Sequence, residues 1–186
     1  YEAMRTSSSV QSASLKSKTS LLQVAIRYAE EDIQSAKSLL AEADQDDLDI
    51  MLDTACILYK EDRFEEALEK YLEIKRTHGF LPEVAYCIAL CCYRLNQYPE
   101  TLQMINEIKS QASRKHPELL RSLAGDTVDF DAQGLIQKAK DAFIVEASNL
   151  LSAMNYDQKH YHEAKDVLRE LPNRNEEDID PITLHN

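Results

Sequence analysis

Glycine and proline are scarce in this 186-residue chain, with three and five residues respectively, and tryptophan is absent. Both residues punctuate turns, so their scarcity argues against an all-β or loop-rich fold and leaves long helices as the natural expectation. No apolar run approaches the ~18–20 residues a membrane span needs, and no membrane partner is expected. Tyr1 to Thr6 carries neither a signal-peptide pattern nor an initiator Met, so the opening reads as an excerpt from something longer. Positive charge is short as well: 21 basic residues stand against 33 acidic ones, a formal net charge of −12. Nucleic acid and anionic membrane both demand an excess of Lys and Arg, so neither is expected as a partner. The surplus acid reads as a solvated surface kept soluble by repulsion.

Catalytic signatures are missing too. There is no glycine-rich phosphate loop, no Gly-x-Ser-x-Gly and no His-Glu-x-x-His. Adjacent carboxylates such as Glu65-Glu66 and Asp46-Asp47 fall at turns or between helices, where they serve as solvated or helix-start charges. The four cysteines are Cys56, Cys87, Cys91 and Cys92, three of them inside the apolar run Val84 to Tyr93. None of His78, His116, His160, His162 or His185 stands at zinc-ligand spacing from them. The thiols read as small buried hydrophobes in a reducing compartment. No metal, no cofactor and no enzymatic activity are expected.

What the chain does have is a period. Laying Ala55–Ile74 over Ala89–Ile108 pairs Ala55 with Ala89, Tyr59 with Tyr93, Phe64 with Tyr98, Ala67 with Thr101, Tyr71 with Ile105 and Ile74 with Ile108. Every pair differs by 34 positions, the tetratricopeptide period. Each unit is then a helical hairpin. A small residue lets the two helices approach closely, and the aromatic at the turn (Phe64, Tyr98) seals it. Large residues further on pack into the neighbouring hairpin. Asp62 and Asn96 supply the turn chemistry.

Two further units follow the same grammar. Downstream stand Ser152 or Ala153, Tyr156, Tyr161, Ala164, Leu168 and Leu171, with Pro172 as a helix stop. Upstream stand Ala25, Tyr28, Ile33, Ala36, Leu40 and Ala43, offset from the next unit by 31, as if the loop were three residues short. The expected fold class is all-α, a right-handed superhelical solenoid of tetratricopeptide hairpins forming one continuous array over residues 1–186. Its units run at about 15–44, 48–77, 82–111 and 140–172, with an insertion at about 112–139 and partial repeats at both ends. Tyr1–Ala3 would close one partial repeat, and Glu176–Asn186 would begin another. The serine-rich start turns helical from about Ser14. Pro117–Leu123 reads as a short helix, and Ala132–Asn155 as one unusually long helix.

In such hairpins the first helices line the concave face. Counting from the small residue places Leu52, Cys56, Tyr59 and Lys60 there in one unit and Tyr86, Leu90, Tyr93 and Arg94 in the next. Tyr28 and Tyr156 take the tyrosine place in the outer units, which makes a ladder of four. The candidate partner-binding groove is therefore Tyr28, Leu52, Cys56, Tyr59, Tyr86, Leu90, Tyr93 and Tyr156. An aromatic groove suits extended or proline-rich segments, although the same rings also suit packing between hairpins. A carboxylate clamp needs Lys, Arg and Asn where this chain has Leu52, Cys56, Tyr86 and Leu90.

Some features are more particular than a generic repeat: Lys115-His116-Pro117-Glu118-Leu119, a long insertion, Val145-Glu146-Ala147-Ser148-Asn149-Leu150, then Leu171-Pro172 and an acidic loop ending Asp180-Pro181-Ile182-Thr183-Leu184-His185-Asn186. Together with Leu58-Tyr59-Lys60-Glu61 they resemble the tetratricopeptide subunit of the intraflagellar transport B core, the fleer or tetratricopeptide repeat protein 30 family. The resemblance covers roughly the whole chain and is strongest from Ile50 onward. It departs from the family at Leu120–Gln137 and at the serine-rich start.

The resemblance implies a tightly wound superhelix that wraps a proline-rich segment of another core subunit. Its other partners would be the remaining B-core subunits and, indirectly, kinesin-2. It would be needed for cilium assembly and linked to tubulin polyglutamylation, with a location in the cilium (axoneme, basal body) and the cytoplasm. The alternative from another class is a tetratricopeptide adaptor of a soluble co-chaperone or ubiquitin-ligase assembly.

Overall fold

The structure, a computed structural model, describes residues 13–117 and 132–169. The chain divides into two compact units, residues 1–77 and 78–186. Every regular element among the described residues is a helix.

The first unit holds α1 (Ala13–Ala29), α2 (Ile33–Ala41), α3 (Leu48–Lys60) and α4 (Phe64–His78), the last residue of α4 lying past the boundary. Asp32 caps α2 by accepting from the Ser35 amide at 3.2 Å, and Asp47 caps α3 by accepting from Asp49 at 2.9 Å. Each satisfies an amide that the helix start leaves over. A core of Val24, Ala36, Leu40, Ile50 and Ile57 joins α1, α2 and α3.

The second unit holds α5 (Pro82–Arg94), α6 (Tyr98–Lys115), α7 (Ala132–Asp141), α8 (Ile144–Asp157) and α9 (Tyr161–Arg169). Pro82 and Pro99 stand in the first turns of α5 and α6, where a missing amide proton costs nothing. Ala85, Ala89, Ile105, Ile108, Ala147 and Leu150 form the main core, which joins α5, α6 and α8. Full burial of an Ile or Leu contributes about 1.5–3 kcal/mol relative to exposure. Ala112 and Ala139, at opposite ends of the expected insertion, are buried together with Ala142, Ile144 and Val145.

Four hairpins turn through the same three-residue device. Glu31, Asp62, Asn96 and Lys159 all have positive φ, from 58° to 64°. In the second hairpin the Asp62 amide donates to the Tyr59 carbonyl at 3.1 Å and the Arg63 amide to the Leu58 carbonyl at 3.0 Å. The same pair of bonds recurs around Glu31, Asn96 and Lys159. This is the Schellman closure, which satisfies carbonyls left over at a helix end and demands a left-handed residue. The expected roles of Asp62 and Asn96 hold, and Glu31 and Lys159 share them.

Three expectations need correction. The long helix over Ala132–Asn155 is two helices, because Phe143 is left-handed (φ 56°) and its amide bonds back to the Lys140 carbonyl at 2.9 Å. With neither Gly nor Pro there, helical periodicity runs through the break unmarked. The small position of the first unit is filled by Val24, which is buried, while Ala25 is exposed. The 31-residue offset does not come from a short loop: α2 has 9 residues where α4 has 15, and the linker after α2, residues 42–47, is longer than residues 79–81.

The helix expected from about Ser14 is α1, and the turn at Lys115-His116 ends α6. The short helix at Pro117–Leu123, the stop at Pro172 and both partial terminal repeats lie outside the described residues, save Pro117 itself.

Candidate partner-binding groove

Each hairpin places its ladder tyrosine at the next-to-last position of the first helix, where its carbonyl accepts from the left-handed turn residue. In three of these hairpins the ring then meets an aromatic five positions on, across the turn, and in the first that place holds Ile33. Tyr59 and Phe64 stand 5.2 Å apart edge to face, Tyr93 and Tyr98 6.3 Å, and Tyr156 and Tyr161 5.2 Å edge to face. The aromatic seal expected at Phe64 and Tyr98 is thus made against the ladder tyrosines themselves. Such pairs contribute about 0.5–1.5 kcal/mol beyond their buried area.

In the first unit the structure brings together Tyr28 and the end of α3. The Lys60 ammonium lies 4.4 Å from the centre of the Tyr28 ring, within cation–π range. Leu52, Cys56 and Tyr59 are half-buried, and Tyr28 remains 36% exposed. Cys56 Sγ stands 3.3 Å from the Tyr71 hydroxyl. Burial pushes the Cys56 thiol up, opposed by the bond to Tyr71 and aided by nearby Asp53. The sulfur is therefore protonated near neutral pH and is a poor nucleophile. Burial raises the Tyr28 phenol, with Cys56 adding to it. The Asp53 carboxyl is raised as well, first by burial and then by Asp49 one turn earlier.

In the second unit Tyr86, Leu90 and Tyr93 all pack against the core that α8 completes. Tyr86 meets Phe143 at 5.8 Å. The Tyr93 hydroxyl donates to the Asp157 carboxylate at the end of α8. Burial first, then the bond to Asp157, lifts the Tyr93 phenol to about 12. Tyr156 stands apart from these, 64% exposed.

The sequence reading missed Phe143, Asp157 and the seat of Lys60 on Tyr28. The spacing of Lys60 and Asp157, each one residue after a ladder tyrosine, is the signal that could have found the last two. Among the described residues no group of three His, Cys, Asp or Glu is placed to hold a metal ion, and no helix is long and apolar enough to cross a membrane. The candidate residues present ring faces, aliphatic side chains and the protonated Cys56 thiol.

The family described as Intraflagellar transport protein 56 matches residues 51–181. The chain belongs to this intraflagellar transport family. It is also similar, over its whole length, to Intraflagellar transport protein 70A of Danio rerio, at 39% identity over 185 residues. The Tetratricopeptide repeat protein 30 homolog of Caenorhabditis elegans is 36% identical over 185 residues, and Intraflagellar transport protein 70A2 of Mus musculus 34% over 195. Two of these names are those of intraflagellar transport proteins and the third is that of the repeat family already recognised from Lys115–Leu119 and Val145–Leu150. The chain spans 28% of the length of the first two relatives and 29% of the third.

Proposed function

We propose that this chain is part of a non-enzymatic scaffold subunit of the intraflagellar transport B complex, acting in the cilium and needed for its assembly. The first-helix faces of its hairpins take up a proline-rich segment of another core subunit. Kinesin-2 is reached through the assembly rather than directly. The link to tubulin polyglutamylation is one of delivery rather than of catalysis.

One observation carries the reading: the same aromatic place recurs on the first helix of hairpin after hairpin, and its rings are neither fully buried nor fully free. Tyr28, Leu52, Cys56 and Tyr59 in the first unit are open enough to touch a partner, as are Tyr86, Leu90 and Tyr93 in the second. Tyr156 extends the series. A polyproline segment is already extended and loses little entropy on binding such a surface. The relatives' names support the transport role and none names an enzyme.

The test begins with a pull-down of the full-length protein from ciliated cells, which should recover the B-core subunits. The proline-rich segment found there is then titrated against wild type and against Tyr59→Ala with Tyr93→Ala. A loss of about 1–3 kcal/mol per key aromatic is expected. Unchanged affinity in a folded variant would remove the tyrosines from the interface, and recovery of chaperones or ligase subunits instead would discard the transport role.

A further inference from the structure

The groove face of the first unit is not uniformly apolar. On α1, Leu22, Ala25 and Tyr28 follow one another at three-residue spacing and are all open to solvent, Leu22 at 53% and Tyr28 at 36%. On α3, Leu52, Asp53, Cys56, Tyr59 and Lys60 share one side of the helix. Asp53 is half-buried there and its charge is felt at the Cys56 thiol, which places the carboxylate among the groove residues. The two rows adjoin, since Lys60 covers the Tyr28 ring.

Among the described residues Asp53 makes neither a hydrogen bond nor an ion pair. The cations of this unit are engaged elsewhere: Lys37 with Glu61 at 2.8 Å, Arg63 with Glu66, and Lys60 on Tyr28. Burial first, and then Asp49 one turn earlier, raise the Asp53 carboxyl. Both causes penalise the charged form, and a cation brought against the carboxylate relieves both. A carboxylate desolvated without a partner destabilises the fold that holds it. The same place in α5 holds Cys87, so the charge is particular to this hairpin and is no requirement of the repeat.

We propose that Asp53 is the seat of an arginine or lysine side chain of the bound proline-rich segment, so that the groove selects a basic sequence. This seat presupposes the groove proposed above and gives its ligand a charge. The segment's proline rings lie on Leu22, Tyr28 and Leu52 while its cation reaches Asp53. A long alkyl stem crosses apolar surface readily and delivers its charged end to a carboxylate. Of two segments equally rich in proline, the one with a basic residue in register is taken. An acidic one is rejected by Asp53 and Asp49. The chain's net charge of −12 favours the same partner during approach.

The test uses the full-length protein and a synthetic peptide spanning the proline-rich segment recovered with it. Asp53→Asn should weaken binding about tenfold and flatten its salt dependence. The same substitution should raise the melting temperature of the free protein, because it removes an unpaired carboxylate. A fall in melting temperature together with the loss of binding would assign Asp53 to the fold instead. Asp53→Lys, paired with a peptide whose basic residue is changed to Glu, should recover affinity, and no recovery would mean that the two charges do not meet. Unchanged affinity in Asp53→Asn, beside a loss in Tyr59→Ala with Tyr93→Ala, would overturn the proposal and leave the groove standing. So would a tightly bound segment that holds no basic residue. No loss in any of these variants would remove the groove together with the charge of its ligand.

Discussion

Tyr93 in α5 donates its phenolic proton to Asp157 at the end of α8, 64 residues further along the chain. The bond ties one hairpin to the next across the insertion, and it is assisted by the carboxylate charge. Because the pair is near the surface, its contribution is modest, and Tyr93→Phe should cost about 0.5–1.5 kcal/mol. The pH dependence has a definite sign. The folded phenol is raised from 10 to about 12, so the fold holds this proton more tightly than the unfolded chain does. That stabilisation is fully present below pH 10 and is lost as pH rises from 10 through about 12. Thermal melts across this window should fall more steeply for wild type than for Tyr93→Phe, and parallel slopes would contradict the account.

The left-handed turn residues predict a stabilising substitution. An L-residue with a side chain costs about 1–2 kcal/mol in this conformation, a cost glycine avoids. Part of the gain is offset by glycine's greater freedom in the unfolded chain. Lys159 is exposed, so Lys159→Gly should raise stability by about 0.5–1 kcal/mol in chemical denaturation. Lys159→Val, β-branched and poorly tolerated at positive φ, should lower it.

How far these features were legible depends on what each one leaves in the sequence. Hairpin packing requires small and large residues at fixed spacing, so Ala55, Ala89, Tyr71 and Ile105 mark the fold in the sequence itself. The turns were legible only where Asp62 and Asn96 mark them, since Glu31 and Lys159 do the same work with residues that usually signal helix. Phe143 was invisible for a related reason: its left-handed backbone is imposed by packing and not by local preference. The row of tyrosines was legible from its spacing. Its division between packing and openness was not, because exposure depends on residues up to 64 positions away.

The small position on the second helix gives a paired prediction. Ala36, Ala67, Thr101 and Ala164 occupy it, and all are buried. Thr101 accommodates its hydroxyl by donating to the carbonyl of Gln97, the N-cap residue of its own helix, at 2.9 Å. Thr101→Ala removes donor and desolvated oxygen together, so it should change stability by less than about 1 kcal/mol. Ala67→Leu forces a larger side chain into a fully buried site and should cost at least about 1–3 kcal/mol. Urea titrations of the two variants decide between a position that needs smallness and one that merely tolerates it.

Phe143 sets backbone strain against side-chain packing. Its φ of 56° is costly for a bulky residue, yet its ring packs on Tyr86 at 5.8 Å and its carbonyl accepts from Ala147 at 3.0 Å to start α8. Phe143→Ala keeps the strain and discards the ring, which is half-buried, so a loss of about 2–4 kcal/mol is expected. Phe143→Gly discards the ring as well but releases the strain. Glycine should therefore be the milder substitution by about 1 kcal/mol, the reverse of their order within a helix. Groove binding separates from stability here. If Tyr86 contacts the partner segment in the position Phe143 gives it, both variants should weaken peptide binding alike despite their different stabilities. A binding loss that tracked stability would mean that Phe143 supports only the fold.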